Sequence, residues 1–298
     1  MPGIPFIKTF AFDYGTAMRV TPLVRRVVAR NPSPFTFHGT GTYIVGRGNV
    51  AIVDAGPDLP EHVEAVLNAV RGETVTHLIV THTHMDHSPA TAAVQKATGA
   101  RTYGYGPHPK APDGETPQEG GDPLFRPDVT LADGDVVEGQ GWNLEAVHTP
   151  GHISNHLCFG LREDRAMLSG DHVMGWSTAV ISPPDGNMRD YFSSLRKLLP
   201  RDEEMLIPTH GAEVRDPRGF VQAYIDHRLD RERQILACLR EGPQSIPQMV
   251  ERMYADVPQH LHRAAGRSVL AHLIQMVADG RLRCEPPVAS SDAVYRLP

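Results

Sequence analysis

The sequence predicts an α/β fold with a small helical module at its C-terminal end. Three features predict it. Short apolar runs of strand length, Val50–Val53, Val75–Val80 and Met205–Ile207, are each followed within three residues by aspartate or histidine. That is how buried strands deliver polar side chains to one sheet edge. An amphipathic segment, Leu59 to Val70, separates the first two runs and puts Val63, Val66, Leu67 and Val70 on one helical face. From about residue 216 the strand-type runs give way to helical periodicity.

In chain order, residues 1 to 40 read as extended and proline-punctuated, with a basic run at Arg25-Arg26 and a turn at Asn31-Pro32-Ser33-Pro34. Phe35–Phe37, Thr42–Val45 and Val50–Val53 read as strands, the last two joined by a hairpin at Gly46-Arg47-Gly48-Asn49. Ser88-Pro89 offers an N-cap with proline at the first helical position, and the helix from Ala90 to Thr98 stops at Gly99. Glycine, proline and acidic residues crowd 104 to 128, which reads as a long surface excursion. Val129–Leu131, Val136-Val137, Leu144–Val147, His156–Phe159 and Ala166–Leu168 read as strands of a second sheet. Beyond 216, helices from about 219 to 240, 246 to 254 and 261 to 279 precede two short strand-type runs, Arg281–Cys284 and Ala293–Leu297. Helix, helix, helix, hairpin is the order of a winged-helix domain. We therefore divide the chain into residues 1–215 and 216–298.

Composition narrows the function classes. A net charge of −6 gives no electrostatic case for a dedicated polyanion binder. The tail itself, with 11 arginines against 10 acidic residues, is nearly neutral. Cys158, Cys238 and Cys284 fit neither a disulfide framework nor a CxxC metal spacing and read as small apolar residues. No apolar run reaches membrane-spanning length and no leader is apparent, so a cytoplasmic enzyme without membrane partners is expected.

Thr81-His82-Thr83-His84-Met85-Asp86-His87 concentrates three histidines and an aspartate directly after the strand Val75–Val80. In extended chain His82 and His84 point to the same side, so both can grip one cation. The turn after them aims Asp86 and His87 at a second point. Imidazoles and carboxylates at this density are costly to bury unless a metal binds them.

This HxHxDH pattern resembles the metallo-β-lactamase superfamily of dinuclear metallohydrolases. Thr149-Pro150-Gly151-His152, Ser169-Gly170-Asp171-His172 and Pro208-Thr209-His210-Gly211 resemble its later ligand motifs, in the same order, and Val50 to Gly56 its early strand and turn. The resemblance implies an αββα sandwich for the catalytic domain. It implies His82, His84 and His152 on one divalent ion, Asp86, His87 and His210 on a second, and Asp171 bridging. Zinc is the first expectation, with iron and manganese also suited to imidazole and oxygen ligands. A hydroxide shared by the two ions would attack the substrate, with Asp86 orienting it or relaying its proton. His156 and His172 would act as supporting donors. The winged-helix-like tail resembles one branch of the superfamily that includes an endoribonuclease.

The resemblance also bears on substrate. The principal zinc β-lactamases usually carry cysteine where this chain has Asp171; aspartate resembles glyoxalase II, lactonases and ribonuclease Z instead. The stretch Val173 to Ser182 lacks the lysine and tyrosine with which glyoxalase II grips glutathione. Its Met174, Trp176, Val180 and Ile181 form an apolar wall suited to a small-molecule acyl substrate. A carboxylic ester or thioester hydrolase is the first reading. A nucleic-acid-cleaving enzyme of the same branch is the second, and a non-catalytic metal-binding module the third. A homo-oligomer is compatible with the tail acting as a packing module.

Overall fold

The computed structural model describes residues 3–110, 120–256 and 258–298. A seven-stranded sheet holds β1 (Met18–Arg19), β2 (Val24–Val28), β3 (Gly41–Arg47), β4 (Asn49–Val53), β5 (Thr74–Ile79), β6 (Arg101–Gly104) and β7 (Val129–Thr130), in that spatial order. The pairings from β1 to β4 are antiparallel and those from β4 to β7 parallel. Helices α1 (Pro60–Ala69) and α2 (Thr91–Thr98) supply the crossovers that parallel neighbours require. A second, five-stranded sheet runs in the reverse order from β12 (Met205–Pro208) through β11 (Ala166–Gly170), β10 (Leu157–Leu161) and β9 (Trp142–His148) to β8 (Val136–Gly139). Helix α3 (Met188–Leu198) connects β11 to β12.

Alternation along β4 shows how the layers stack. Val50 and Ile52 face α1 and α2, joining Val66 and Val94, whereas Ala51 and Val53 face the second sheet, joining Trp142, Leu144 and Phe159. The other face of the second sheet packs Val147, Cys158 and Met167 against Tyr191 and Leu195 of α3. Layers of helix, sheet, sheet and helix give the expected αββα sandwich.

The tail runs through α4 (Pro217–Leu239), β13 (Gln244–Ser245), α5 (Ile246–Met253), α6 (His262–Ala278), β14 (Arg283–Glu285) and β15 (Val294–Arg296). Its strands pair in the order β13, β15, β14, a small wing beside the helices. The two halves of α4 serve different cores. Phe220, Val221, Tyr224 and Ile225 pack under the second sheet, and Ile235 and Leu239 pack with Met249, Leu273 and Tyr295 of the tail. Cys158 and Cys238 are buried and unpaired, as expected of small apolar residues. No helix among the described residues is long and apolar enough to cross a membrane.

Several local expectations require correction. Phe35–Phe37 is a turn, because the Ser33 hydroxyl accepts the Phe35 and Thr36 N–H groups and Phe37 takes a φ of 60°. Ser88 does not cap α2; its hydroxyl donates to Asp122 (2.8 Å) and the helix starts at Thr91. Val129-Thr130 belongs to the first sheet. Its position follows from Asp128, whose carboxylate accepts the Thr102 N–H (2.8 Å) and ties the segment to β6. Part of the 104–128 excursion, residues 111–119, lies outside the described residues. Helix α3 was not anticipated, although Met188, Tyr191, Phe192, Leu195 and Leu198 follow helical spacing and Asn187 caps it by accepting the Arg189 and Asp190 N–H groups.

Candidate metal centre

The seven residues singled out from the sequence come together at one end of the sandwich. His82, His84, Asp86 and His87 follow β5, Asp171 follows β11, His210 follows β12, and His152 lies in the loop between β9 and β10. β4, β5, β11 and β12 all end there, so rigid elements fix the cluster from several directions.

Two groups of donor atoms can be distinguished. His82 Nε2 and His152 Nε2 approach His84 Nδ1 at 2.9 and 3.1 Å. Asp86 Oδ2 lies 3.4 Å from His87 Nε2 and 3.2 Å from His210 Nε2. Asp171 Oδ2 sits between the groups, 3.8 Å from His152 Nε2, 3.5 Å from His87 Nε2 and 3.4 Å from His210 Nε2. Tetrahedral ligands at zinc–nitrogen distances stand about 3.3 Å apart, so these separations match the edges of coordination shells. His87 Nε2 and Asp171 Oδ1 are buried without a hydrogen-bond partner, an arrangement that is costly unless a cation completes it. By both criteria the donor set fits a pair of divalent ions.

The reverse side of each ring fixes which nitrogen faces inward. His87 Nδ1 lies 2.9 Å from Asp54 Oδ2, His152 Nδ1 2.6 Å from the Val180 carbonyl, and His210 Nδ1 3.2 Å from the Gly39 carbonyl. Each carbonyl or carboxylate accepts the Nδ1 proton and leaves the Nε2 lone pair pointing into the cluster. His156 does the same for a ligand backbone: its Nε2 accepts the Asp171 N–H (3.1 Å), and its Nδ1 donates to Thr149 Oγ1 (2.9 Å). Gly170, at a φ of 53°, lets His156 come so close, since a Cβ there would lie 2.5 Å from His156 Nε2. His172 instead packs edge-on against Tyr191, at 5.0 Å between ring centroids.

The electrostatics of the two groups differ. Burial, reinforced by neighbouring imidazoles, pulls His82 and His84 well below the usual histidine range and leaves them neutral. Burial pushes His87 and His210 the same way, but nearby carboxylates overcome it. Asp86 and Asp171 with Asp54 raise His87 well above its usual value, and Asp171 with Asp86 raises His210 to about 10. Conversely, burial would raise Asp86 and Asp171, and the facing imidazoles hold both well below the carboxylate range. Two carboxylates held against two imidazolium groups form the charge pattern that cations replace when protons leave.

Asp54 supports the centre although the sequence motifs assign it no role. Buried at the end of β4 with a φ of 51°, it accepts the Thr81 N–H (2.8 Å) on Oδ1, and the Thr81 hydroxyl (2.7 Å) and His87 Nδ1 on Oδ2. Its signal was a lone acid closing an apolar strand. Thr40, whose hydroxyl donates to Asp86 Oδ2 at 3.0 Å, had none.

A pocket of about 300 Å³ opens on the cluster. Met174 and Val180 line it as expected, together with Ser33, Phe35, Thr36 and Met85, which were not anticipated. Trp176 stacks on Phe37 at 4.7 Å, and Ile181 lies in the core beneath, so neither forms the wall assigned to it.

The comparisons with known proteins agree with this geometry. Residues 36–210 match the family model described as the metallo-beta-lactamase superfamily, and residues 245–286 the beta-lactamase associated winged helix domain. The chain is 30% identical over 289 residues to a beta-lactamase-like protein 2 homolog of Drosophila melanogaster, covering 93% of this chain and 96% of that protein. It is 28% identical over 274 residues to an atrochrysone carboxyl ACP thioesterase of Aspergillus chevalieri, covering 88% and 83%. A beta-lactamase domain protein from Burkholderia ambifaria has the same fold at a TM-score of 0.79 and 21% identity, covering 99% of this chain and 97% of that one. The chain belongs to the metallo-beta-lactamase superfamily and is a metal-dependent hydrolase with a C-terminal winged-helix domain.

Proposed function

We propose that the protein is a dinuclear hydrolase of carboxylic esters or thioesters. The observation that carries the dinuclear reading is the position of Asp171 Oδ2, between His152 on one side and His87 and His210 on the other. We assign His82, His84 and His152 to the first ion, Asp86, His87 and His210 to the second, and Asp171 to both. When bound, two such ions supply Lewis-acid polarisation of the substrate and a nucleophile from water at neutral pH. Five imidazoles and two carboxylates suit zinc, iron or manganese.

The chain's own residues do the rest. Asp86, whose side chain is 26% exposed and whose Oδ2 is tied to the Thr40 hydroxyl, is open to the pocket and can accept a hydrogen bond from the attacking water. Phe35, Met85, Met174 and Val180 offer an apolar lining for an acyl group, worth about 0.8 kcal/mol for each methylene buried. Among the described residues that lining holds no lysine or arginine, which disfavours phosphate-backbone recognition at this mouth. The thioesterase named among the relatives supports the same choice. We place the catalytic unit in residues 1–215 and the winged-helix unit in 216–298, with the first half of α4 buttressing the former.

A substrate panel tests the reading: p-nitrophenyl esters, acyl thioesters and labelled single-stranded RNA, each assayed across a salt titration. Turnover of neutral acyl substrates that changes little with salt is the expected outcome. Faster cleavage of RNA that collapses as salt rises would replace the esterase reading with a nuclease.

A further inference from the structure

A second and larger groove, of about 990 Å³, lies between the Pro183–Arg189 segment and the winged-helix domain, and the hydrolytic mechanism does not use it. Its lining includes the apolar Pro183, Ile246, Val250 and Leu270. Arg263 and Arg267, one turn apart on α6, line it as well. Neither has an acidic partner among the described residues; Arg267 reaches only the Ser182 hydroxyl, at 3.5 Å. Arg189, by contrast, is paired with Asp279, and Asp292 is the one carboxylate in the lining.

The placement of Arg263 runs against helix electrostatics. α6 follows directly on a 3-10 turn, Gln259–Leu261, and its first turn contains no acidic residue and no capping side chain, so Arg263 adds a cation near the positive end of the helix dipole. A bound anion relieves that conflict, and a phosphate can accept hydrogen bonds from both guanidinium groups.

The groove and the metal pocket are neighbours along the chain. Val180, whose carbonyl orients His152, lines the pocket, and Pro183 lines the groove. Three residues of extended chain span at most about 10 Å. The lining of the groove therefore begins within about that distance of Val180 in the metal pocket.

Building on the thioester reading, we propose that this groove holds the thiol arm of the substrate, a pantetheine chain that ends in a phosphate. Its methylenes and methyl groups would lie on Pro183, Ile246, Val250 and Leu270, and its phosphate on Arg263 and Arg267. Hydrolysis adds water across the C–S bond and yields a carboxylate and a thiol without oxidant or reductant, so the bound arm belongs to the thiol product. Coenzyme A and the prosthetic arm of an acyl carrier protein present the same chemistry.

Calorimetry on the full-length, metal-loaded protein tests the groove directly, with 4′-phosphopantetheine and dephosphorylated pantetheine as probes. The phosphorylated form should bind at least tenfold more tightly, and the doubly substituted Arg263→Glu/Arg267→Glu protein, shown by its melting curve to be folded, should lose that difference. One acyl group is then assayed on coenzyme A, on a phosphopantetheinylated carrier protein and on N-acetylcysteamine. The ratio of kcat/KM for a phosphate-bearing thioester to that for the truncated one should fall at least tenfold in the variant, and the better of the two carriers identifies the source. Equal binding of the two probes, or an unchanged ratio, would overturn the proposal. So would a single-stranded RNA that displaces 4′-phosphopantetheine and binds more tightly. If no thioester is turned over while the phosphate-dependent binding persists, the hydrolase reading fails and the groove assignment stands.

Discussion

Asp54→Asn removes one proton acceptor from behind the second metal position while leaving the backbone nearly untouched. Asparagine tolerates the left-handed φ of 51° found at position 54 about as well as aspartate does. Its Oδ1 can still accept the Thr81 N–H, but an amide nitrogen then replaces the oxygen that lies 2.9 Å from His87 Nδ1 and accepts its proton. Loss of such a partner behind a metal-binding imidazole costs about 10- to 100-fold in affinity, or about 1.4 to 2.7 kcal/mol. The loss should fall on the ion held by His87 and spare the one held by His82, His84 and His152. Asp54→Ala should do more damage, since it also leaves the buried Thr81 N–H unpaired, for about 1 to 3 kcal/mol. It adds a strained left-handed alanine, for about 1 kcal/mol. Competition with a chromophoric chelator separates the two affinities, and thermal melting of the metal-free proteins gives the stability cost. Wild-type affinity for both ions in the Asp54→Asn protein would refute this account of the site's support.

Three further substitutions probe other links. Gly170→Ala places a Cβ 2.5 Å from His156 Nε2 at a positive φ; it should destabilise the fold by about 1 to 3 kcal/mol and weaken metal retention, read by melting and by elemental analysis. Tyr224→Phe removes the hydroxyl with which α4 holds Met174 of the pocket lining, donating to the Met174 carbonyl (2.6 Å) and accepting the Met174 N–H (3.2 Å). It should lower stability by about 1 to 3 kcal/mol in denaturant titrations, whereas an unchanged midpoint would make α4 a passive neighbour. His62 is drawn from 6.5 down to about 4 by burial. Its contribution is therefore complete above pH 6.5 and is lost as pH falls toward 4, up to about 3 kcal/mol. His62→Gln should flatten the acid limb of a stability-against-pH curve over that window.

How much the sequence revealed depended on how local each feature was. The HxHxDH loop and the ends of β11 and β12 were legible because each ligand sits at a strand terminus, where apolar run and polar residue adjoin in the chain. Sheet membership was less so. Val129-Thr130 looks like any short strand, and its pairing with β6, tied by the Asp128 contact with Thr102, assigns it to the first sheet. The mouth was misread for a similar reason. A Trp and an Ile close to Asp171 in sequence face Phe37 and the core, and Phe35 and Met85, distant in sequence from Met174, complete the pocket. Asp54 closes an apolar strand as the ligands do, but its partners are distant in sequence, and its role appears only where Thr81 and His87 meet it. Helix α3 carries both its apolar spacing and its asparagine cap in the sequence itself.

The metal content of the protein tests the central claim most directly. Elemental analysis of the purified protein, with native mass spectrometry to count ions per chain, should find two transition-metal ions in the wild type. In Asp171→Ala, at least one ion and the hydrolytic activity should be lost together, because that carboxylate stands between both groups of donors. A wild-type protein that holds one ion and takes up no second on titration, or an Asp171→Ala protein that keeps two ions and full rate, would contradict the account.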